Sequence, residues 1–292
     1  MSINPYRIDG PALVSFSGGR TSGYMLWHIL DAHDGKLPED VHVCFANTGK
    51  EREETLRFVH ECATRWGVHI HWLEASDRGN KDIAERFEEV GFNSASRDGQ
   101  PFKDLVTRKS YLPCGVMRFC TTELKIEPMK FFMQAQGYKK WTNVVGLRAD
   151  ERHRVERGMA ANDKGKDPWV SVFPMFERGV SQRDVMRWWD AQPFNLNLLP
   201  FEGNCDACFL KGRAKLIEIE RTAPGTLQWW ADLEDYATSI NAKQSLRNFN
   251  KDYSYKEIIE AVQRQGDLFL GVFNEDPEMD AECGLWCDDG AP

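Results

Sequence analysis

The run Ser15-Phe16-Ser17-Gly18-Gly19-Arg20-Thr21-Ser22 constrains this chain more than any other stretch, because an apolar strand ends there in two glycines and hydroxyls where a helix begins. Such a junction is built to hold phosphate. Glycine lets the backbone approach an anion, the first N–H groups of the helix point at it, and the hydroxyls of Ser17, Thr21 and Ser22 add donors. A bare Gly-Gly turn is the alternative. The spacing is not that of a Walker loop, which needs four residues between its first glycine and a Gly-Lys pair.

The apolar pattern around the junction alternates strand and helix. Ala12 to Ser17 reads as a buried strand, Thr21 to Asp34 as a helix, Val41 to Ala46 as a second strand, Glu51 to Trp66 as a helix and His69 to Leu73 as a third strand. That alternation predicts an α/β fold, a parallel sheet with right-handed crossovers and helices on both faces. Ligand then sits beyond the carboxyl ends of the strands, where Ser17 and Asn47 fall. From Asp77 to Ser110 the chain is polar and broken by Gly79, Gly91, Gly99 and Pro101, and a long loop or lid is expected. Helix resumes over Thr122 to Gln136, strand at Thr142 to Leu147 and Trp169 to Phe173, and Ser181 is placed to cap a helix over Gln182 to Asp190. Further helices are expected at Lys215 to Arg221 and Tyr255 to Gln265. We expect a nucleotide-binding core over 1–200 and a mixed or helical C-terminal region over 201–292.

Three more segments combine with the glycine loop. Ser-Gly-Gly-x-x-Ser after a first strand resembles the pyrophosphate loop of the adenine nucleotide α-hydrolase superfamily, which has a Rossmann-like core. Phe45-Ala46-Asn47-Thr48-Gly49 with Glu51, Glu54 and Thr55 is similar to that superfamily's second-strand element. Cys120 to Pro128, with Lys125, resembles a segment of its PAPS/APS reductase branch, and Gly146-Leu147-Arg148-Ala149-Asp150-Glu151 with Arg154 resembles another. The resemblance covers roughly the first two-thirds of the chain. It implies an adenine nucleotide (PAPS, APS or ATP) held by Ser15, Ser17, Gly18, Gly19, Arg20, Thr21 and Ser22, with Asn47, Thr48 and Gly49 on the nucleoside side. Lys125, Arg148 and Arg154 then neutralise the phosphosulfate, and Glu151 belongs to the same nucleotide-binding set. Many ATP-cleaving members carry Asp where Thr21 stands, and Thr21 is the poorer Mg²⁺ ligand; Mg²⁺ enters only if ATP is the substrate.

Eight cysteines, at 44, 62, 114, 120, 205, 208, 283 and 287, give a second signal. Cys44 in an apolar strand and Cys62 in a helix read as small buried hydrophobes. Cys205-Asp206-Ala207-Cys208 is a tight knuckle whose two thiolates need two more ligands to hold a metal, and Cys114 and Cys120 are the candidates. In the cluster-containing APS reductases, which the segment resembles, a Cys-Cys pair and a distant C-x-x-C hold a [4Fe-4S] cluster. Here Thr121 stands at the second position of the pair. A [4Fe-4S] cluster, a zinc ion on the same four sulfurs and no metal remain open.

Glu282-Cys283-Gly284-Leu285-Trp286 resembles the reductases' C-terminal motif, with Trp in place of His. By that resemblance Cys283 is the catalytic nucleophile, S-sulfonated by the substrate and released by a thioredoxin-like reductant. A disordered acidic tail with an incidental cysteine is the bland alternative. The enzyme alternative is an ATP pyrophosphatase that adenylates an acceptor for sulfur insertion, as in DNA phosphorothioation proteins of the same superfamily. A non-catalytic nucleotide-binding protein is the third.

The balance of 37 basic against 45 acidic residues, a formal charge of -8, argues against broad attachment to nucleic acid, which is expected only under the ATP alternative. Arg148, Arg152, His153, Arg154 and Arg157 still form a local basic cluster suited to a polyanion. No apolar run is long enough to span a bilayer and no charged-then-apolar leader follows Met1, so a cytoplasmic enzyme is expected.

Overall fold

In the computed structural model, residues 4–76, 82–240 and 246–265 are described. In chain order the elements are β1 (Ala12–Ser15), α1 (Arg20–Ala32), β2 (Val41–Ala46), α2 (Glu53–Trp66), β3 (Ile70–Ala75), β4 (Phe87–Val90), α3 (Gln100–Lys109), α4 (Phe119–Thr121), α5 (Glu127–Ala135), β5 (Trp141–Val145), α6 (Arg152–Lys164), β6 (Trp169–Val172), α7 (Pro174–Glu177), α8 (Gln182–Asp190), α9 (Arg213–Thr222), α10 (Gln228–Ser239) and α11 (Tyr255–Gln265). The strands form one sheet in the order β4-β3-β2-β1-β5-β6. All neighbours are parallel except β3 and β4, which pair antiparallel.

The sheet is buried on both faces because its central strands are apolar at successive positions. Val14, Val43 and Phe45 point to one side, where they pack with Met25 and Ile29 of α1, Phe58 and Val59 of α2, and Trp189 of α8. Leu13, Cys44, Ala46 and Leu73 point to the other, onto Met129, Phe132 and Met133 of α5. This two-sided cover is what near-continuous apolar strands require. Cys44 and Cys62 are both fully buried, and burial pushes both thiols up from their ordinary range. Ser181 caps α8 by accepting from the Asp184 backbone N–H, with the Asp184 carboxylate accepting in return from Ser181.

A second apolar cluster lies beyond the end of β3, whose Ala75 packs against it. Phe102, Leu105 and Val106 of α3 join Leu124, Ala207, Phe209, Leu216, Ile219, Trp230, Phe249, Tyr255 and Ile258. Residues on both sides of position 200 therefore share one core. The expected long loop over 77–110 is corrected here: its described part contains β4 and α3, whose Phe102, Leu105 and Val106 are buried only because helices distant in sequence cover them. Residues 122–126 form a π-helical turn leading into α5, a widening often found at functional sites. Among the described residues, no helix is long and apolar enough to cross a membrane.

Candidate functional site

The carboxyl ends of β1, β2 and β5 meet at the start of α1. Gly18 adopts φ +78°, and a Cβ there would lie 2.8 Å from Thr55 Cγ2 and 3.0 Å from the Phe45 ring, so only glycine passes between β1 and α2 at this point. Beyond it the hydroxyls shape the loop. Ser22 Oγ accepts from the Ser17 backbone N–H at 3.2 Å, lies 3.0 Å from Ser17 Oγ and donates to the Gly19 carbonyl at 3.0 Å. Ser15 is buried, with its hydroxyl 3.8 Å from Met129 Sδ.

The β5 turn brings a guanidinium to this loop. Arg148 is 4% exposed, and its Nη1 donates to Thr21 Oγ1 at 2.9 Å. Its Nε faces Asp150 at 3.3 Å and Glu151 at 3.5 Å, and its backbone N–H donates to Glu151 Oε2 at 3.0 Å. Arg154 pairs with the other oxygen of Glu151. Glu151 thus acts as a clamp holding two arginines beside the helix start. Arg20 is engaged differently from a side chain aimed only at ligand: Nε donates to Asn195 Oδ1 at 2.8 Å and Nη2 to the Leu196 carbonyl. Arg20, Thr21, Arg148, Leu199, Glu202 and Asn204 line a cavity of about 310 Å³.

The β2 end forms the opposite wall. Asn47 is fully buried, donating to Glu74 Oε1 at 2.6 Å and to the Ser96 carbonyl at 2.8 Å. The side chain of Glu51, 1% exposed, accepts from the Thr48 backbone N–H at 2.7 Å, from the Thr48 hydroxyl, and from Lys125 Nζ at 3.4 Å. Gly49, at φ +79°, leaves room for Ser96 Oγ and Gly99. Outside Asn47 opens a cleft of about 690 Å³ lined by Glu74, Glu88, Ser96, Asp98 and Asp104 among others. Burial pushes the Glu74 carboxyl up, while bonds from Ser96 and Asn47 pull it the other way.

The cysteine knuckle is fastened to this same wall. Glu51 and Cys205 form an antiparallel bridge, Cys205 Sγ lies 3.8 Å from Glu51 Oε1, and Lys50 Nζ pairs with Asp206 at 2.7 Å. Asn204 Nδ2 donates to the Ser17 carbonyl at 2.9 Å, and its own carbonyl accepts from the Arg52 N–H at 2.7 Å. Trp230 Nε1 donates to Asp206, and the Tyr255 hydroxyl to the Ala207 carbonyl, both below 3 Å. Lys211 is 4% exposed; burial pushes its ammonium down, and the nearby Cys208 and Cys205 oppose that shift. Cys120, on α4, is half-buried against the second apolar cluster, and Cys114 lies two residues beyond Leu112 of that cluster. Because Glu51 touches both Lys125 and Cys205, it joins the segment after Cys120 to the knuckle.

These four thiols have donor chemistry that fits a soft metal centre. A single zinc ion, with sulfurs at about 2.3 Å in a tetrahedron, holds them about 3.8 Å apart. Among the described residues no three of the four sulfurs lie within 4.8 Å of one another. A cube that takes each thiolate on a different iron spaces them more widely. Cys283 and Cys287 lie outside the described residues.

The phosphoadenosine phosphosulfate reductase domain matches residues 11–238, which hold every element just described except α11 and the last residue of α10. The chain belongs to this family. It is 32% identical over 208 residues to the uncharacterized nin region protein ORF290 of Escherichia phage lambda, covering 70% of this chain and 67% of that protein. It is 25% identical over 239 residues to the uncharacterized protein MJ0066 of Methanocaldococcus jannaschii, covering 80% of this chain but 44% of the relative. An uncharacterized 37.8 kDa protein of Escherichia phage 186 is 26% identical over 210 residues, 63% of this chain and 59% of the relative. The chain thus spans less than two-thirds of these last two relatives.

The side chains that motif reading missed are Asn204, Glu74 and Lys211. Asn204 and Lys211 flank the knuckle, so their position carried a signal. Glu74 had none, because its partner Asn47 follows β2, and only the folded sheet brings the two together.

Proposed function

We propose that the chain is an adenine-nucleotide enzyme of sulfur chemistry, reducing a nucleotide phosphosulfate (PAPS or APS) to sulfite. The observation that carries this is the buried Arg148 guanidinium bonded to Thr21 at the start of α1, which supports an anion site made jointly by helix N–H groups and a fixed cation. Phosphate is favoured on the Arg148 side and disfavoured by the acidic cleft at Glu74. That cleft suits the hydroxyl and amino donors of the nucleoside beside Asn47, Thr48 and Gly49. In the chemical step the Cys283 thiolate attacks the sulfur of the phosphosulfate, the bridging S–O bond breaks, and the nucleotide phosphate leaves with that electron pair. A thioredoxin-like thiol then attacks Cys283, releasing sulfite and leaving a mixed disulfide.

A second reading is favoured by the Asn204 bond to the Ser17 carbonyl, which ties the cysteine knuckle directly to the phosphate loop. In that reading ATP, with Mg²⁺, adenylates an acceptor such as nucleic acid, and pyrophosphate leaves. Product analysis separates the two: sulfite with PAPS or APS and its loss in Cys283→Ser supports reduction, whereas pyrophosphate and AMP from ATP with Cys283→Ser fully active overturns it. In either case Arg148→Ala is expected to weaken nucleotide binding by about 1.5–3 kcal/mol, the worth of a hydrogen bond to a charged group, as measured by calorimetry.

We further propose that Cys114, Cys120, Cys205 and Cys208 hold a [4Fe-4S] cluster, which supplies redox or positioning chemistry beside the nucleotide when bound. The buried Lys211 ammonium, with Cys205 and Cys208 beside it, supports it. Anaerobically purified protein is expected to contain roughly four irons, with the colour lost in Cys205→Ser or Cys208→Ser. Stoichiometric zinc without iron would decide for the smaller centre.

A further inference from the structure

The edge of the sheet, where β3 pairs with β4, carries a cluster that the proposed reaction does not use. His69 immediately precedes β3 and His71 lies within it, so alternation along an extended chain puts both on the face that also holds Leu73. Leu73 pairs with Glu89 across the antiparallel β3–β4 ladder, which brings that carboxylate to the same face. Glu89 Oε1 lies 2.7 Å from His71 Nδ1 and 3.6 Å from His69 Nε2.

We propose that His69, His71 and Glu89 form a binding site for a divalent transition-metal ion of the zinc type. One ligand atom from each of the three lies within 4.8 Å of the others. Zinc bonds of about 2.0–2.2 Å to nitrogen and oxygen require ligand atoms about 3.4 Å apart. His69 Nε2, 3.6 Å from Glu89 Oε1, is already near that spacing, while His71 Nδ1 and Glu89 Oε1, hydrogen-bonded at 2.7 Å, must part slightly. Glu89 is able to make that movement because its side chain is 43% exposed. His71 can stay in place. Its ring is wedged between Phe132 at 4.5 Å, His42 at 5.5 Å and the His69 ring at 4.3 Å. Two imidazoles and one carboxylate are a borderline donor set that selects zinc, nickel or copper over magnesium or calcium, and leaves a coordination position for water. Its structural effect is to stitch the edge strand β4 to β3 at the end of the ladder away from their connection.

Zinc titrated into the full-length protein is expected to raise the thermal midpoint. His69→Gln and Glu89→Gln are expected to weaken zinc binding at least about tenfold and remove that rise. The metal-free midpoint of His69→Gln should match the wild type, since an exposed side chain contributes little to the fold. Cobalt distinguishes this site from the cysteines: nitrogen and oxygen ligation gives visible bands without thiolate-to-cobalt charge transfer. Wild-type zinc affinity in both variants, or cobalt bound solely with a thiolate signature, overturns the proposal.

Discussion

Replacing Glu51 by Ala is expected to destabilise the protein by about 3–5 kcal/mol, the cost of breaking a buried ion pair from one side. The Glu51 side chain is almost fully buried, and one carboxylate serves the Thr48 backbone N–H, the Thr48 hydroxyl, Lys125 and the Cys205 thiol. Alanine strands the Thr48 donor in a dry site and removes a carboxylate from beside the Lys125 ammonium. Glu51→Gln keeps the shape and one acceptor, and should cost less, about 1–3 kcal/mol. Denaturant midpoints measure both. The same substitutions should weaken nucleotide binding, because Glu51 fixes the Asn47-Thr48-Gly49 turn and the knuckle relative to each other. If Glu51→Ala unfolds at the wild-type midpoint, the bond network at the end of β2 is not what holds this wall.

Stability is expected to fall by about 3 kcal/mol between pH 4.5 and pH 7 through Glu234 alone. Burial in the second core pushes its carboxyl up to about 7, against the opposing pull of the Tyr255 and Phe249 backbone N–H groups that it accepts. A carboxyl with a raised folded pKa binds more protons in the native than in the unfolded chain. Its contribution is therefore complete below the unfolded value of 4.5 and is lost as pH rises through about 7. His28, His42 and His71, lowered by burial, act in the opposite direction up to 6.5, so the group must be isolated by difference. Glu234→Gln should remove that component of the slope while lowering stability at pH 5, since its amide N–H group faces one of the two backbone donors. Parallel stability–pH curves for the two proteins would show that Glu234 does not titrate in this range. Glu234 joins α10 to the start of α11, whose Tyr255 bonds the knuckle, so loosening here should also lower metal retention.

Much of this molecule is written locally. Val41–Ala46, Gln182–Asp190 and Tyr255–Gln265 are bounded in the structure where the sequence placed them, because each begins at a cap or turn and carries its own apolar period. The glycine loop is equally legible, since a backbone at φ +78° with no space for a Cβ admits one residue type. The family follows from ordered motifs spread over the chain.

Other features depend on partners that no window of sequence contains. β4 is the pair Phe87–Val90 makes with β3, and its strand of Phe-Glu-Glu-Val has no strong period of its own. α3 is short and buried only by α10 and its neighbours, so a stretch with glycine and proline around it reads as loop until the second core closes over it. Arg20 looked like a phosphate ligand from its place in the loop, yet Asn195 and Leu196, more than 170 residues later, take two of its donors. Local periodicity and backbone sterics, which act within a few residues, thus determined the strand–helix alternation and the phosphate loop. Tertiary packing alone decided which charges meet: Arg148 at Thr21, Glu51 between Lys125 and Cys205, and Glu89 between two histidines, because hydrogen bonds and ion pairs depend on distances that only the folded chain sets.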